Sequence, residues 1–458
     1  MSGALVFIKE DLQISDWQVQ LLAGILHVCA LPTCIAAGRT SDYKGRRYAV
    51  ILSSITFALG SILLAYGPSY IILIIGNCIL GIGVGFALII VPVYCAEISP
   101  PSYRGFLTSL PELSINIGLL LGYVSNYLFE KLSLKLGWRM MLGVPAVPSL
   151  ALAILMLKLV ESPRWLVMQG RVGEARRVLL LVSNTKEEAE QRLKGIKVAV
   201  GIDENWALDI VQVPRKIRSG GGALKELFCK PSPPVRRILI VAIGMHALFQ
   251  MGGMGAILLY GPRIFEKTGI TNKSMLMLAT VGIGISKVAF SFISIFLLDK
   301  VGRRILLLVS AVGTVVSLLG LGIFFTILEK YSTEGEAWGM GFTMIATYVF
   351  VAFLTIGIGP VTWVYSAEIF PLRFRAQGLA VCVAVNRIAN VIMVTSFISI
   401  YKAITMAGAF FLLAAINALA LWFYHTLPET KGRSLEGMET IFGENSKLEI
   451  QIKPGCNK

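Results

Sequence analysis

The sequence is poor in charged residues and in histidine, and both shortages limit what the protein can be. Charged residues make up 15% of the chain and apolar residues 55%, whereas typical soluble domains contain about 25% charged residues. The three histidines, His27, His246 and His425, have no second metal ligand at a fixed spacing. The sequence also lacks a nucleophile–base pair, a metal-binding cluster and a phosphate-binding loop. We therefore expect no enzyme activity, no metal site and no cofactor.

The seven cysteines are scattered and the basic residues do not form a nucleic-acid surface. Five cysteines lie inside apolar segments, so the sequence predicts free thiols rather than disulfides. The net charge of +15 has no accompanying pattern of basic and aromatic residues, which excludes nucleic acid as a partner. We expect this charge to face anionic membrane lipid instead.

Long apolar blocks account for most of the chain. A helix that crosses about 30 Å of hydrocarbon needs roughly 17–25 apolar residues, and eleven blocks reach this length. The sequence therefore predicts an all-α membrane protein. The blocks lie near residues 17–37, 48–67, 70–95, 106–128, 140–160, 236–260, 275–298, 305–327, 341–366, 378–400 and 406–426.

Three short motifs occur twice and in the same order. The pattern D-x-x-G-R-R begins at Asp42 and at Asp299, and the pattern A-E-I-x-P contains Glu97 and Glu368. A looser pair contains Glu161 and Glu429. The copies are separated by 257, 271 and 268 residues, which indicates a duplicated parent unit. Duplicated helix bundles are typical of secondary transporters, whose substrate binds between the halves near the bilayer midplane.

The duplication predicts twelve helices, but the first copy is one helix short. D-x-x-G-R-R follows the first predicted span of the early half and the second predicted span of the late half. We expect the first helix to be largely missing and residues 1–8 to be its tail, which makes the chain N-terminally truncated. The predicted fold has two six-helix bundles with about 11 complete membrane helices. Its predicted domains are an N-terminal bundle at 1–160, a linker at 161–235, a C-terminal bundle at 236–427 and a tail at 428–458.

The polar stretch between the halves predicts the orientation. Residues 161–237 contain 15 Lys+Arg against 9 Asp+Glu, and basic residues near membrane helices favour the cytoplasmic side. The linker, both G-R-R turns and the C-terminal tail are therefore predicted to be cytoplasmic. Two stretches of the linker, 172–182 and 185–199, have apolar residues at helical spacing, which favours a helical plate over a disordered tether.

The charged residues of the repeated motifs are predicted to form a latch. Ion pairs on both bundles at the inner face would hold the outward-facing state and break when the bundles rock. The alternative is that these charges only anchor helix ends at the lipid interface, and the presence of two symmetric copies favours the latch. The predicted members are Asp42, Arg46, Arg47, Glu97, Asp299, Arg303, Arg304, Glu368 and Arg375, with Arg104 beside them.

Together the motifs resemble those of the sugar porter family of the major facilitator superfamily, and most closely its plant polyol/monosaccharide transporters. The resemblance covers essentially the whole chain. It implies the major facilitator fold, alternating access, and proton-coupled uptake of linear polyols, inositols or monosaccharides into a cell across the plasma membrane. The motifs that carry it are Gly-Arg-Arg after a helix, Glu161-Ser-Pro-Arg-Trp-Leu166, Gly359-Pro-Val-Thr-Trp363, Val385-Asn386-Arg387 and Leu427-Pro-Glu-Thr-Lys-Gly-Arg-Ser-Leu435.

The resemblance also implies a substrate site. Amides and a phenol exchange hydrogen bonds with hydroxyls, and an indole stacks on C–H faces. Two positions depart from the family pattern: Phe249 replaces the first of two glutamines, and Gly255 replaces a polar residue. Either change could alter substrate choice or affinity, or reflect a degraded copy. The substrate-binding residues that the family implies are Tyr123, Phe249, Gln250, Trp363, Asn386 and Asn390.

Proton coupling in this family depends on an aspartate of the first helix, which pairs with the arginine that corresponds to Arg104. That aspartate would lie upstream of Met1, so the resemblance predicts that this chain alone does not accumulate substrate with protons. Charged residues also occur inside spans, where they are costly. Lys287, Arg387 and Glu112 are such residues. We expect Lys287 to face the cavity, where it binds substrate hydroxyls or pairs with a carboxylate, rather than extend to the lipid interface.

Three functions remain open from the sequence. The first is a proton-coupled symporter of polyols or sugars. The second is a non-transporting membrane sensor or degraded transporter of the same fold, suggested by the region 249–255 and the missing helix. The third is an uncoupled facilitator, which transports the substrate without protons.

Overall fold

The computed structural model describes residues 2–100, 104–200, 202–203, 208–211, 232–270, 272–331, 337–370 and 375–430. Apart from one isolated bridge between Arg171 and Ile210, the regular structure of these residues is helical. The side chains of Arg104, Asp299 and Arg375 lie outside the described part of the chain, as do residues 431–458 of the predicted tail.

Seven helices form the first helix group and seven form the second, with three short helices between them. The first group comprises α1 (Ser2–Leu12), α2 (Asp16–Lys44), α3 (Arg46–Tyr66), α4 (Tyr70–Ile98), α5 (Arg104–Phe129), α6 (Leu134–Gly143) and α7 (Ala146–Lys158). The connecting helices are α8 (Pro163–Met168), α9 (Val172–Val182) and α10 (Lys186–Val200). The second group comprises α11 (Pro233–Met251), α12 (Met254–Glu266), α13 (Lys273–Val301), α14 (Arg303–Tyr331), α15 (Ala337–Ile356), α16 (Ile358–Ile369) and α17 (Arg375–His425).

Nine stretches of the described chain are long and apolar enough to cross a membrane. The last of them, Gln377–His425, contains two spans that the sequence predicted separately. Helix α17 is bent between them, because Ile404 and Thr405 have non-helical dihedral angles. Helix α5 coincides with the predicted span 106–128 and is not among the nine. The number of crossings therefore stays a prediction, as does the truncation of the first helix.

The short connecting helices carry their own apolar cluster. Trp165, Val167, Val172 and Leu179 are among its buried members. Helix α10 is attached to the end of α4, since the Arg192 guanidinium donates to the backbone carbonyl oxygen of Ser99 at 2.9 Å. A cation at a helix C-terminus is favourable because the last carbonyl groups lack intrahelical partners. Helices α9 and α10 coincide with the two stretches in which the sequence predicted helical structure.

Two long helices are interrupted where the second group is most polar. Helix α11 ends at Met251 and α12 begins after Gly253, whose φ is +96°. The side-chain amide of Asn417 donates to the carbonyl oxygen of Gly252 at 3.0 Å, which satisfies one backbone group that the break leaves open. The second interruption lies at Gly357, where the Ser310 hydroxyl accepts from the backbone amide of Ile358 at 3.0 Å. Broken helices lie at substrate sites in several transporter folds.

The two D-x-x-G-R-R motifs form equivalent turns. Gly45 joins α2 to α3 and Gly302 joins α13 to α14, and both have φ of +103°. A carboxylate packs onto each glycine: a Cβ on Gly302 would lie 3.0 Å from Oε2 of Glu429, and a Cβ on Gly45 would clash with the Glu161 carboxylate. Both the dihedral angle and the carboxylate contact therefore require glycine.

We predict that Gly45→Ala destabilises the protein more than Gly302→Ala. Both changes place an L-residue in a region of φ and ψ that costs about 1–3 kcal/mol, and the clash at Gly45 is closer. The measurement is the unfolding temperature of the purified protein in detergent. Gly118→Ala is the matched control, since a Cβ at Gly118 meets nothing within 4 Å. Equal unfolding temperatures for Gly45→Ala and Gly118→Ala would contradict the prediction.

Candidate functional site

Three amide side chains from two helices of the second group form a buried cluster. Gln250 of α11 donates from Nε2 to Oδ1 of Asn386 at 3.1 Å, and Asn390 donates from Nδ2 to Oε1 of Gln250 at 2.9 Å. Asn386 and Asn390 lie one turn apart on α17, so both face the same partner. All three residues are buried. Within the described part of the chain, Nδ2 of Asn386 and Oδ1 of Asn390 have no partner, which leaves one donor and one acceptor.

Gly255 makes room for this cluster. A Cβ on Gly255 would lie 2.6 Å from Nδ2 of Asn390, so a larger residue there would displace Asn390 from Gln250. The family pattern places a polar residue at this position. In this chain the Asn390 amide occupies the space that such a side chain would need. This geometry gives the departure at Gly255 a structural explanation other than degradation.

An aromatic pair adjoins the amide cluster. The Trp363 ring of α16 meets the His246 ring edge to face, with 4.9 Å between their centroids. His246 lies one turn from Gln250 on α11, and its Nε2 is 3.2 Å from the Ser366 hydroxyl. His246 therefore connects the helix of the indole to the helix of Gln250. The sequence predicted only a packing role for His246, because no motif in the chain indicates that it contacts Trp363.

The other predicted site residues lie on the surface between the helix groups or next to the cluster. The Tyr123 hydroxyl of α5 donates to the Leu258 carbonyl of α12 at 2.6 Å, which joins the two groups. Phe249 and Lys287 are both 9% exposed. Arg387 donates to Oδ1 of Asn386 at 2.6 Å, so a guanidinium ends the amide network. The structure thus brings Gln250, Asn386 and Asn390 into direct contact, while Trp363 contacts His246, which lies one helical turn from Gln250.

A network of charged side chains surrounds the turn at Gly45 in the first D-x-x-G-R-R motif, which we call the first arginine turn. The Arg46 guanidinium donates to Glu97 from Nε at 3.0 Å and contacts Oδ1 of Asp42 at 3.0 Å. The Glu161 carboxylate accepts from the backbone amides of Arg46 and Arg47 at 3.0 Å and 3.1 Å. These amides begin α3, so the carboxylate caps a helix N-terminus. The Arg47 side chain donates to the Met156 carbonyl at 2.8 Å.

The second turn repeats the same network. Arg303 donates to Glu368 at 2.9 Å, and Glu429 accepts from the backbone amides of Arg303 and Arg304 at 3.0 Å each. The Arg304 side chain donates to the His425 carbonyl at 2.7 Å. A hydroxyl also occurs in both copies: Ser162 donates to Glu97 at 2.5 Å and Thr430 donates to Glu368 at 2.7 Å. The sequence interpretation missed the capping role of Glu161 and Glu429, although both belong to the third repeated motif.

These described ion pairs join helices of the same group, not the two groups to each other. Arg46 pairs with Glu97 inside the first group, and Arg303 pairs with Glu368 inside the second. Arg104, Asp299 and Arg375 have side chains outside the described residues. The latch between the groups therefore stays a prediction, and the pairs described here hold each group together.

Ion pairs between the groups occur at the opposite face. Asp16 begins α2, about 43 Å along the helix from the arginine turn. Its carboxylate contacts Lys9 at 2.7 Å, Arg263 at 3.3 Å, and Lys402. Arg263 and Lys402 belong to the second group. Lys273 and Glu10 form a further pair between the groups at 2.7 Å, so among the described side chains the groups are joined ionically at this face.

We predict that Arg46→Gln lowers the free energy of unfolding by roughly 3–5 kcal/mol, because it leaves the buried Glu97 carboxylate without its cation. The Arg46 and Glu97 side chains are only 7% and 9% exposed. Arg171→Gln is the control, since its pair with Glu174 is about half exposed on both sides and should contribute less than about 1 kcal/mol. Equal unfolding temperatures for the two variants in detergent would contradict a structural role for the network.

Comparison with known proteins identifies the family. Residues 6–442 match the profile of the family described as sugar (and other) transporters. The chain is 53% identical to probable polyol transporter 3 of Arabidopsis thaliana over 99% of this chain and 90% of that protein. It is 48% identical to polyol transporter 5 of the same plant, over 100% of this chain and 85% of that protein.

A solved structure supports the fold. The major facilitator superfamily proton:xylose symporter XylE, bound to 6-bromo-6-deoxy-D-glucose, matches with a TM-score of 0.75 at 25% identity, and the match covers 96% of this chain and 94% of that chain. The profile spans nearly the whole sequence and its relatives are transporters, not enzymes. The protein therefore belongs to the sugar transporter family and has the major facilitator fold.

Proposed function

We propose that the protein transports a polyol, an inositol or a monosaccharide by alternating access, coupled to protons. The buried amide cluster of Gln250, Asn386 and Asn390 is the observation that carries the proposal. Hydroxylated substrates need several donors and acceptors at fixed positions, and amides supply both from one side chain. The Trp363 indole, which contacts His246 one turn from Gln250, offers an apolar face for the C–H groups of the same substrate.

The names of the relatives support this class of substrate. Polyol transporters are 48–53% identical along nearly the whole chain, and XylE is described as a proton:xylose symporter. Gly255 supports an intact site, because the Asn390 amide occupies the space beside it. An uncoupled facilitator with the same site is the second candidate, and dependence of uptake on a pH gradient distinguishes the two.

The chain consists of two bundles and a linker, and its orientation in the membrane follows from the arginine turns. The protein lies in the plasma membrane. The face with the two arginine turns is cytoplasmic, and the tail at 428–458 lies on the same side. The bundles at 1–160 and 236–427 move against each other, with the linker at 161–235 between them. The ion pairs of Asp16 and of Glu10 with second-group cations support a state closed towards the outside, from which substrate leaves to the cytoplasm.

We predict that Trp363→Ala and Gln250→Ala each lower the uptake of labelled sorbitol or xylose at least about tenfold. Gln250→Ala removes the amide that bonds both asparagines and leaves Nδ2 of Asn390 without its acceptor, which costs about 1–3 kcal/mol, and tenfold corresponds to about 1.4 kcal/mol. Uptake into cells that lack their own carriers is the measurement, normalised to the amount of protein at the surface.

Trp422→Ala is the matched control for the tryptophan change. The Trp422 side chain is 67% exposed at the periphery of the helices, so its removal should leave uptake near normal. Unchanged uptake in Trp363→Ala, or an equal loss in both tryptophan variants, would argue against the proposed site.

A further inference from the structure

The described polar contacts between side chains of the two helix groups share one polarity at the face opposite the arginine turns, which we call the Asp16 face. Glu130, which follows α5, accepts from the Ser274 hydroxyl of α13 at 2.6 Å, and Gln20 of α2 accepts from the Ser399 hydroxyl of α17 at 3.1 Å. The charged pairs of the same polarity are Asp16 with Arg263, Asp16 with Lys402 and Glu10 with Lys273. Opening of this face therefore separates acceptors of the first group from donors of the second.

The Asp16 carboxylate is held by its own group. Ser15 is the N-cap of α2: its Oγ accepts from the backbone amide of Gln18 at 3.3 Å, and the Gln18 side chain accepts from the backbone amide of Ser15 at 2.8 Å. Such a capping box fixes the first turn of a helix, and a carboxylate in that turn is stabilised by the helix dipole. Lys9 of α1 contacts the carboxylate at 2.7 Å. Asp16 thus keeps two supports in the first group when the second group moves away.

The two second-group cations that contact Asp16 lie on helices with irregular backbone. Arg263 is in α12, which begins after the break at Gly253, and its Nη1 is 3.3 Å from Oδ1 of Asp16. Lys402 contacts Oδ2 of Asp16 and lies two residues before Ile404, where α17 bends. One carboxylate therefore attaches α2 to both interrupted helices.

Helix α12 extends from the amide cluster to the Asp16 face. Near its start, a Cβ on Gly255 would lie 2.6 Å from Nδ2 of Asn390. Arg263 lies eight residues later, about 12 Å along the helix. A movement of α12 that breaks the pair of Asp16 and Arg263 therefore also acts on the backbone beside the Asn390 amide.

Removal of the Asp16 charge would leave cations facing cations. Arg263 and Lys402 contact the two oxygens of one carboxylate that Lys9 also contacts, and like charges that lie close together repel. The side chains of Asp16 and Arg263 are only 21% and 12% exposed, so dissolved ions screen this repulsion less than at an open surface. Water separates the same cations when the groups move apart. The Asp16 charge therefore stabilises the closed face more than the open one.

We propose that Asp16 is a gating residue of the outer face, and that its ion pairs with Arg263 and Lys402 set the fraction of empty carriers that are open to the outside. The inference rests on the proposed orientation and transport cycle and deepens them. Only non-covalent contacts form and break. Apparent affinity falls in proportion to the fraction of molecules in the binding-competent state, so the same pairs set how strongly the protein binds external substrate.

The first test measures access to the closed face without a transported substrate. Gln20 lies one turn after Asp16 and is buried, so a cysteine introduced by Gln20→Cys reports opening. A membrane-impermeant maleimide is added outside sealed cells, and labelling of the native cysteines is subtracted with variants that retain Gln20. Adding Asp16→Asn should raise the labelling rate at least about threefold, a change of the size expected for one partly exposed ion pair.

Asp11→Asn is the matched control for the loss of charge. Asp11 lies near the same face, but its carboxylate accepts from Nε1 of Trp138 at 3.1 Å inside the first group, so this change should leave the labelling rate unaltered. Asp16→Glu keeps the charge and should give a lower rate than Asp16→Asn. Lys402→Gln removes one of the two cations at a half-exposed position, and it should raise labelling even if Asp16→Asn folds poorly.

The second test compares entry and exit of labelled sorbitol or xylose in cells that lack their own carriers. With more empty carriers open to the outside, the external concentration for half-maximal entry should fall about threefold in Asp16→Asn, and the internal concentration for half-maximal exit should rise. A loss of folded protein would lower both maximal rates and leave the two concentrations unchanged. Opposite shifts of the two concentrations therefore identify gating.

The outcomes separate this inference from the proposed function. Equal labelling in the Asp16→Asn and Asp11→Asn variants, or half-saturation concentrations that do not move, would overturn the gating role of Asp16 and leave the proposed transport intact. A gain in labelling only when the maleimide reaches the cytoplasmic side would also overturn it, because this face would not be the outer one. Faster labelling from outside in a protein that moves no polyol, inositol or monosaccharide would support the gate and contradict the proposed function.

Discussion

The hydrocarbon core of a membrane cannot hydrate polar groups, and the polar architecture of this protein follows from that constraint. Each polar group that lies deep in a span must find a partner within the protein. The amide cluster meets this requirement for Gln250 by hydrogen bonds to Asn386 and Asn390. At the two broken helices, side chains meet this requirement, because Asn417 and Ser310 form hydrogen bonds with the backbone at the interruptions. Within the described part of the chain, two buried polar atoms without a partner, Nδ2 of Asn386 and Oδ1 of Asn390, belong to the amide cluster, where a hydroxylated substrate is proposed to bind.

The two arginine turns contain equivalent hydrogen bonds in both copies of the duplicated unit. In each copy, one carboxylate caps the backbone of the turn and another binds the arginine side chain, while a hydroxyl joins the second carboxylate. Ser162 and Thr430 differ in type but donate equivalent hydrogen bonds. Each network connects a turn to the distant end of its own group, so it stabilises the group as a unit that can move as a whole.

Much of the fold could be predicted from local patterns, because apolar length and turn glycines are local properties. The helix Val172–Val182 and the turns at Gly45 and Gly302 lie where the sequence indicated them. Partner choice is non-local, so it could not be predicted in the same way. The motif residues Arg46 and Glu97 were predicted to belong to a latch at the inner face; their pair lies within the first group, and the latch stays a prediction. Likewise, nothing in the run 249–255 shows that an asparagine 135 residues later occupies the space beside Gly255.

The ion pairs of Asp16 make the contact between the two helix groups at the face opposite the arginine turns sensitive to the composition of the solution. One carboxylate there faces three cations from both groups, and the Lys402 side chain is 55% exposed. Attraction between exposed charges weakens as dissolved ions screen it, over about 8 Å at physiological ionic strength. In the proposed orientation and transport cycle, salt outside the cell would thus act on the balance between open and closed outer faces without binding at the substrate site. The rate at which the empty carrier reopens would then change with the salinity of the surrounding fluid, even at constant substrate concentration and pH.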